Sequence, residues 1–362
     1  MTDTSPSIIA PRPRHLLRLA PGQGEHWVAL RALLSVGAPL MLLWGIGRLE
    51  LAPFAVFPAF ATVFGRRYGH RHRLRVQGVV ALAQLLSVLL GALVPVLGGG
   101  PWVAVGAAVL LVAVASLVGD LTGWTPVGPM FQLFAFVSLA SAPVTAEGLT
   151  AGALVAAASA AWAMVLGGVW ALGRRVARAR GVMEPERPAP PARRPPGSLW
   201  ADAGMYAVAT AIAGAVPTLL GIGHVGWAMV AAVAGLAAPN AFNRVLRATH
   251  RTLGTLAGIP LAILVLAVRP GELGTVLLII LLTGAIELVV TRNYALALVP
   301  ITPLVVLMGR LNAPGLPAGE LILDRLAETL IGAATAILVA LALALASAPR
   351  RTPSLTVHSR TR

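Results

Sequence analysis

The stretch ELVVTRNYALALVPITPLVVLM, residues 287–308, has the length of a membrane span but carries chemistry that hydrocarbon disfavours. Glu287, Arg292, Asn293 and Tyr294 lie at its start, and Pro300 and Pro303 sit inside its apolar run. An ionisable side chain at mid-helix costs on the order of 2.5–3.5 kcal/mol on insertion scales. An internal proline frees a backbone carbonyl that only protein or water can satisfy at membrane depth. The stretch therefore predicts a helix in a membrane-embedded bundle whose polar groups face protein or an aqueous cavity.

The rest of the chain extends this reading. Of 362 residues, 57% are hydrophobic and only 11% charged, and the mean hydropathy is +0.82. A soluble domain of this size needs more charge to cover its surface. Breaks at glycine, proline and charge predict twelve spans. The first six are 28–47, 51–65, 76–97, 101–119, 127–142 and 148–173. The second six are 199–219, 222–239, 252–268, 272–291, 293–309 and 320–347. The second and eleventh are the short ones. The expected fold class is all-α and polytopic, with about 12 transmembrane helices.

The net charge of +15 does not imply a nucleic-acid partner, because its distribution is that of a membrane protein. All 28 basic residues are arginine, and they fall in clusters between apolar runs. With the N-terminus placed inside, 23 of the 28 lie on inside segments. Arg48, Arg269 and Arg310 lie outside, and Arg31 and Arg325 within spans. Such alternation follows the positive-inside rule and puts both termini in the cytoplasm. The polar, basic N-terminal segment precedes a span without a small-residue cleavage site, so it reads as a retained first helix.

A cytoplasmic tail (1–27), a six-span unit (28–173), a linker (174–198), a second six-span unit (199–347) and a C-terminal tail (348–362) are expected. The linker, RRVARARGVMEPERPAPPARRPPGS, is basic and Pro-rich and reads as a solvated spacer. The two units echo one another. Arg71, Arg75 and Gly78 open the third span; Arg247, Arg251 and Gly254 open the ninth at a constant offset of 176. With six spans each, such units would be parallel repeats, a pseudo-dimer about an axis along the membrane normal.

Few residues carry chemistry. Glu287 admits two roles: an interfacial ion pair with Arg292, or a protonatable carboxylate facing a cavity and coupling protons to transport. Asp324 and Glu328 share a helix face at i, i+4, with Arg325 between them. They read as an ion-paired helix start or as a second gate for protons or substrate. Pro300 and Pro303 enclose Thr302 near mid-membrane, where an interrupted helix could offer a substrate site; a packing kink is the plainer reading. Asn293 and Tyr294 add an amide and a ring. Arg75, Arg251, Arg292 and Arg325 are candidates for an anion pathway. The cluster RRYGHRHRLR, 66–75, reads first as a topology determinant and second as a basic vestibule that concentrates anions. His70 and His72 have no carboxylate or cysteine near them in sequence, so no metal site is expected. The absence of P-loop, G-x-S-x-G and H-E-x-x-H motifs argues against ATP hydrolysis and against an enzyme, and no cofactor is expected.

Three motifs carry a resemblance. E-x4-RNYALA-x4-TPL at 287–304 resembles the signature of the fusaric acid resistance protein-like family of bacterial membrane proteins, which is similar to aromatic acid exporters. Arg247, Arg251, Gly254, Thr255 and Gly258 agree with it, as do Arg325, Glu328, Thr329 and Gly332. The resemblance implies a proton-linked efflux transporter of small aromatic or organic carboxylates in the bacterial cell membrane. It also implies kinship with plant malate channels built from two six-helix units, so a passive organic-anion channel is the alternative. The expected partners are the lipid bilayer, a small organic anion and protons. With its repeats fused, the chain could act as a monomer or as a homo-oligomer. Relatives often carry a cytosolic domain where this chain has only its linker.

Overall fold

The computed structural model describes residues 11–22, 24–66, 68–180, 195–221, 226–312 and 318–346. Most of the linker, residues 1–10 of the N-terminal tail and the whole C-terminal tail, as read from the sequence, lie outside the described residues. Among the described residues the chain is all-helical, with no strand. After a short turn at Pro13–Leu16, the first half consists of α1 (Glu25–Gly45), α2 (Ala52–Ala59), α3 (His70–Val96), α4 (Pro101–Thr122), α5 (Met130–Ala140) and α6 (Ala146–Ala179). The second consists of α7 (Pro196–Leu220), α8 (Gly226–Leu236), α9 (Ala241–Ala267), α10 (Glu272–Val289), α11 (Tyr294–Asn312) and α12 (Ala318–Ala346).

Nine of these helices are long and apolar enough to cross a membrane among the described residues; α2, α5 and α8 are shorter. The eleventh span, expected to be short, is instead a full-length helix. The fifth and eighth join the second as the short ones. Proline sets these lengths: Pro126, Pro129 and Pro143 bracket α5, and Pro239 follows α8. All residues of α2, and all of α8 except the half-buried Trp227, are buried. A short helix wrapped by protein exposes no backbone ends to lipid, which makes it tolerable at membrane depth. The long helices instead present exposed Leu86, Leu110, Leu154, Leu264, Leu281 and Leu338. An apolar outer face of that extent suits lipid contact and marks a multi-pass membrane protein.

The interior pairing of helices repeats from one half to the other. α3 packs on α5 as α9 packs on α11, and α2 packs on α6 as α8 packs on α12. Across the halves, α1 packs on α10 and α7 on α4. The two larger apolar cores are consequently shared, while a third, around Phe64 and Trp124, lies within the first half. One joins Leu40, Phe54 and Leu139 to Ile279 and Leu307; another joins Val112 and Phe136 to Met229 and Ala336.

Close approach depends on glycine at two positions along one of these seams. A methyl group at Gly254 would overlap the Ala295 carbonyl and Leu298, and one at Gly258 would meet Thr302 Oγ1 at 2.6 Å. Bare backbone here lets α9 lie directly against α11. Pro300 and Pro303 do not interrupt the helix, because α11 runs as one helix through both. The expected break at mid-membrane is absent, and Thr302 donates to the Leu298 carbonyl at 2.8 Å within the helix.

Candidate functional site

A cavity of about 140 Å³ lies between the halves, lined from α2, α5, α8, α9, α10, α11 and α12 and the segments flanking α2 and α5. Its apolar wall includes Phe57, Phe131, Phe134 and Trp227; its charged groups are Arg66, Arg247, Arg251, Arg325 and Glu287. Four guanidinium groups facing one carboxylate leave it electropositive. Desolvated charges of one sign are expensive unless a counter-charge completes them.

Local structure aims each group. Arg66 follows the 3₁₀ turn Phe60–Val63, where its Nε donates to the Val63 carbonyl at 3.0 Å. That bond leaves its Nη2 to reach Glu287 on α10, with which it forms an ion pair. Glu287 also feels the charge of Arg31 on α1. Arg247 donates from Nε to the Ala234 carbonyl at 2.7 Å, near the end of α8, and its guanidinium lies 3.9 Å from the centre of the Tyr294 ring. One turn further along α9, Arg251 donates from Nη1 to the Tyr294 hydroxyl at 3.1 Å. Tyr294 is thus held at face and tip by two arginines. Arg325 sits 4.9 Å from the centre of the Trp227 ring, a cation–π geometry. It is 2% exposed. Its Nε and Nη1, and Nε of Arg251, are buried with no hydrogen-bond partner among the described residues. Buried donors of charged groups are rarely left unfilled. These can take the oxygens of an anion.

The cavity gathers Glu287, Tyr294, Arg251 and Arg325 from among the residues singled out by sequence. The others lie elsewhere. Arg75, offered as the counterpart of Arg251, is exposed on α3. Its place so close to the helix start and its length let it reach the interface. Arg292 is half-exposed and lies 3.8 Å from Glu25 rather than beside Glu287. The expected Glu287–Arg292 pair is replaced by two pairs, because α10 ends at Val289 and the following turn points Arg292 away from the cavity. Asn293 is a structural residue: its Oδ1 accepts from the Ala295 and Leu296 amides, starting α11. Its Nδ2 donates to the Leu16 and Arg18 carbonyls at 2.8 and 3.2 Å. Thr302 lies at the α9–α11 seam against Gly258, and Pro300 and Pro303 lie within α11 off the cavity lining. Asp324 is half-buried off the cavity, and Glu328 is fully buried a turn beyond Arg325, whose charge it feels.

Sequence reasoning passed over Arg66, Arg247 and Trp227 as site residues. Arg66 pairs with a residue 221 positions away, and no local pattern marks such a contact. Arg247 carried a signal, since it stands one turn before Arg251 on the same helix face. Among the described residues there is no group of three or more His, Cys, Asp or Glu arranged to hold a metal ion.

No curated protein and no solved structure matches the chain. Residues 210–339, which hold Trp227, Arg247, Arg251, Glu287, Tyr294 and Arg325 but not Arg66, match the family model described as fusaric acid resistance protein-like.

Proposed function

We propose that this chain is a secondary transporter that exports small organic carboxylate anions through the cavity between its halves, with Glu287 as the proton-coupling group. The observation that carries the reading is the set of unfilled, buried donors on Arg251 and Arg325 beside an aromatic wall. A carboxylate would complete those donors, and a ring or short aliphatic body would lie against Phe134 and Trp227. A cavity of roughly 150 Å³ takes a benzene ring when its walls are apolar, so the size suits a compact anion. The family match of residues 210–339 supports efflux.

Coupling follows from competition for Arg66. A bound carboxylate and ionised Glu287 are rivals for the same guanidinium. Protonating Glu287 frees Arg66 for substrate, so proton and anion cross together, and export runs where the outward anion gradient exceeds the inward proton gradient. The repeated pairing of helices supports two parallel six-helix units about a pseudo-two-fold axis, with the cavity between them. The arginine distribution supports cytoplasmic termini in a bacterial plasma membrane.

The test is flux in proteoliposomes, with benzoate and a panel of aliphatic carboxylates, with and without an imposed pH gradient. Uphill movement that an uncoupler collapses, and that becomes downhill-only in Glu287→Gln, is the expected result. Uphill movement retained by Glu287→Gln would overturn the coupling assignment. Passive flux indifferent to the gradient in the wild-type protein would replace the transporter by a channel.

A further inference from the structure

The three arginines that break the positive-inside pattern differ in their surroundings. Arg48 is neutralised by an ion pair with Glu50. Arg269 and Arg310 have no side-chain ion pair among the described residues, and both line one groove of about 900 Å³. The groove lies where α9 and α11 end and α10 and α12 begin, at the arginine-poor end of the bundle. Its walls are Ile263, Leu266, Ile322 and Leu323, of which Ile263 and Leu323 are 51% and 67% exposed.

Arg269 carries a second signal. It is the residue after the C-cap of α9, and among the described residues it is the non-glycine with positive φ, at 48°. This left-handed position is one that glycine or asparagine fills without strain. For a side chain such as arginine it is strained, and such strain persists where the surroundings or function demand it. Turned this way at the helix end, Arg269 shares the groove with Arg310 from the last turn of α11.

We propose that this groove binds an anionic phospholipid, its phosphate held between Arg269 and Arg310 and an acyl chain laid along Ile263, Ile322 and Leu323. Charge complementarity argues for that occupant over a zwitterionic one: two unpaired guanidinium groups match a phosphate in bidentate fashion. The exposed apolar wall beneath them suits a chain rather than a hydrated anion. The site is separate from the central cavity and independent of what that cavity carries.

The full chain in detergent micelles, titrated with phosphatidylglycerol and with phosphatidylcholine of identical chains, tests this by native mass spectrometry and thermal unfolding. Phosphatidylglycerol should bind the wild type saturably and raise its melting temperature. Arg269→Gly combined with Arg310→Gln should weaken it about tenfold or more, the scale of a lost charged hydrogen bond. Arg48→Gln should leave it unchanged. Arg269→Gly alone removes the strain, so it guards against misfolding: a variant that melts no lower than wild type yet loses phosphatidylglycerol supports the site. Equal binding of the two lipids, unaltered binding by the double variant, or full displacement by millimolar inorganic phosphate would each overturn it.

Discussion

Arg66 and Glu287 form an ion pair that joins the two halves of the molecule across the wall of the central cavity. Glu287 is nearly sealed, at 6% side-chain exposure, whereas Arg66 retains 21%. Breaking one partner of a buried pair costs about 3–5 kcal/mol, because the survivor is left desolvated. Glu287→Gln and Arg66→Gln should therefore each lower the melting temperature in detergent. The double variant should be less damaged than the sum, with a coupling of about 1–3 kcal/mol. Strict additivity would show that the two side chains do not interact.

Replacing Arg251 or Arg325 by glutamine should raise the KM for carboxylate efflux roughly 10- to 100-fold, the range of about 1.5–3 kcal/mol for a hydrogen bond to a charged group. Arg75→Gln, on the exposed side of α3, should stay within about twofold of wild type, as surface substitutions usually do. Initial-rate measurements on the three variants separate the readings. An Arg75 effect as large as that of Arg251 would favour equal roles for the two arginines at the 176-residue offset.

Gly254→Val should separate α9 from α11 and pull Arg251 away from Tyr294. Overpacking of this kind costs about 1–3 kcal/mol, and efflux should fall with it. Gly106→Ala, at a site with open space around it, should be neutral or stabilising by up to about 1 kcal/mol. Thermal unfolding of the two variants compares them directly.

Asn293→Ala removes both the start signal of α11 and the amide that holds Leu16 and Arg18. A lost N-cap costs about 1 kcal/mol. Amide hydrogen exchange should rise in the segment 11–22 and in the first turn of α11, leaving the centre of α9 protected. Unchanged exchange at residues 16–20 would mean that His250, which contacts the Leu16 carbonyl at 3.2 Å, and the Ala20–Arg292 backbone bond suffice to hold it.

The fold was legible where it depends on hydrophobic runs. Twelve apolar segments were readable; among the described residues the chain is all-helical, with nine helices long and apolar enough to cross a membrane, because hydrophobicity is a property of each segment alone. Length was less legible. α5 and α8 stop at their flanking prolines and are tolerated short because other helices enclose them, and an apolar run reads the same whether lipid or protein surrounds it. Of the site, Glu287, Tyr294, Arg251 and Arg325 were recognisable as expensive groups in or beside spans. Arg66 was not, since an arginine at a span end is ordinarily an interfacial anchor. Only the approach of α10 from the other half changes its role. Asn293 misled for the opposite reason: an amide at a helix start is as apt for capping as for binding, and its side chain is spent on backbone.

The packing of α1 on α10 has a consequence for biosynthesis. α1 enters the membrane carrying Glu25 at its start and Arg31 within its apolar run, both buried in the finished protein. The helix that covers this face, and that holds the carboxylate whose charge Arg31 balances, is not synthesised until residues 272–289 have emerged. At about 5–20 residues per second, α1 waits on the order of ten seconds or more for the helix it packs against. In the interval the first half can close only the core that joins Ala32, Phe64 and Trp124 within it. Completion of this protein is therefore a post-insertion event, and a ribosome that stalls in the linker leaves behind six helices with the two shared cores unfinished.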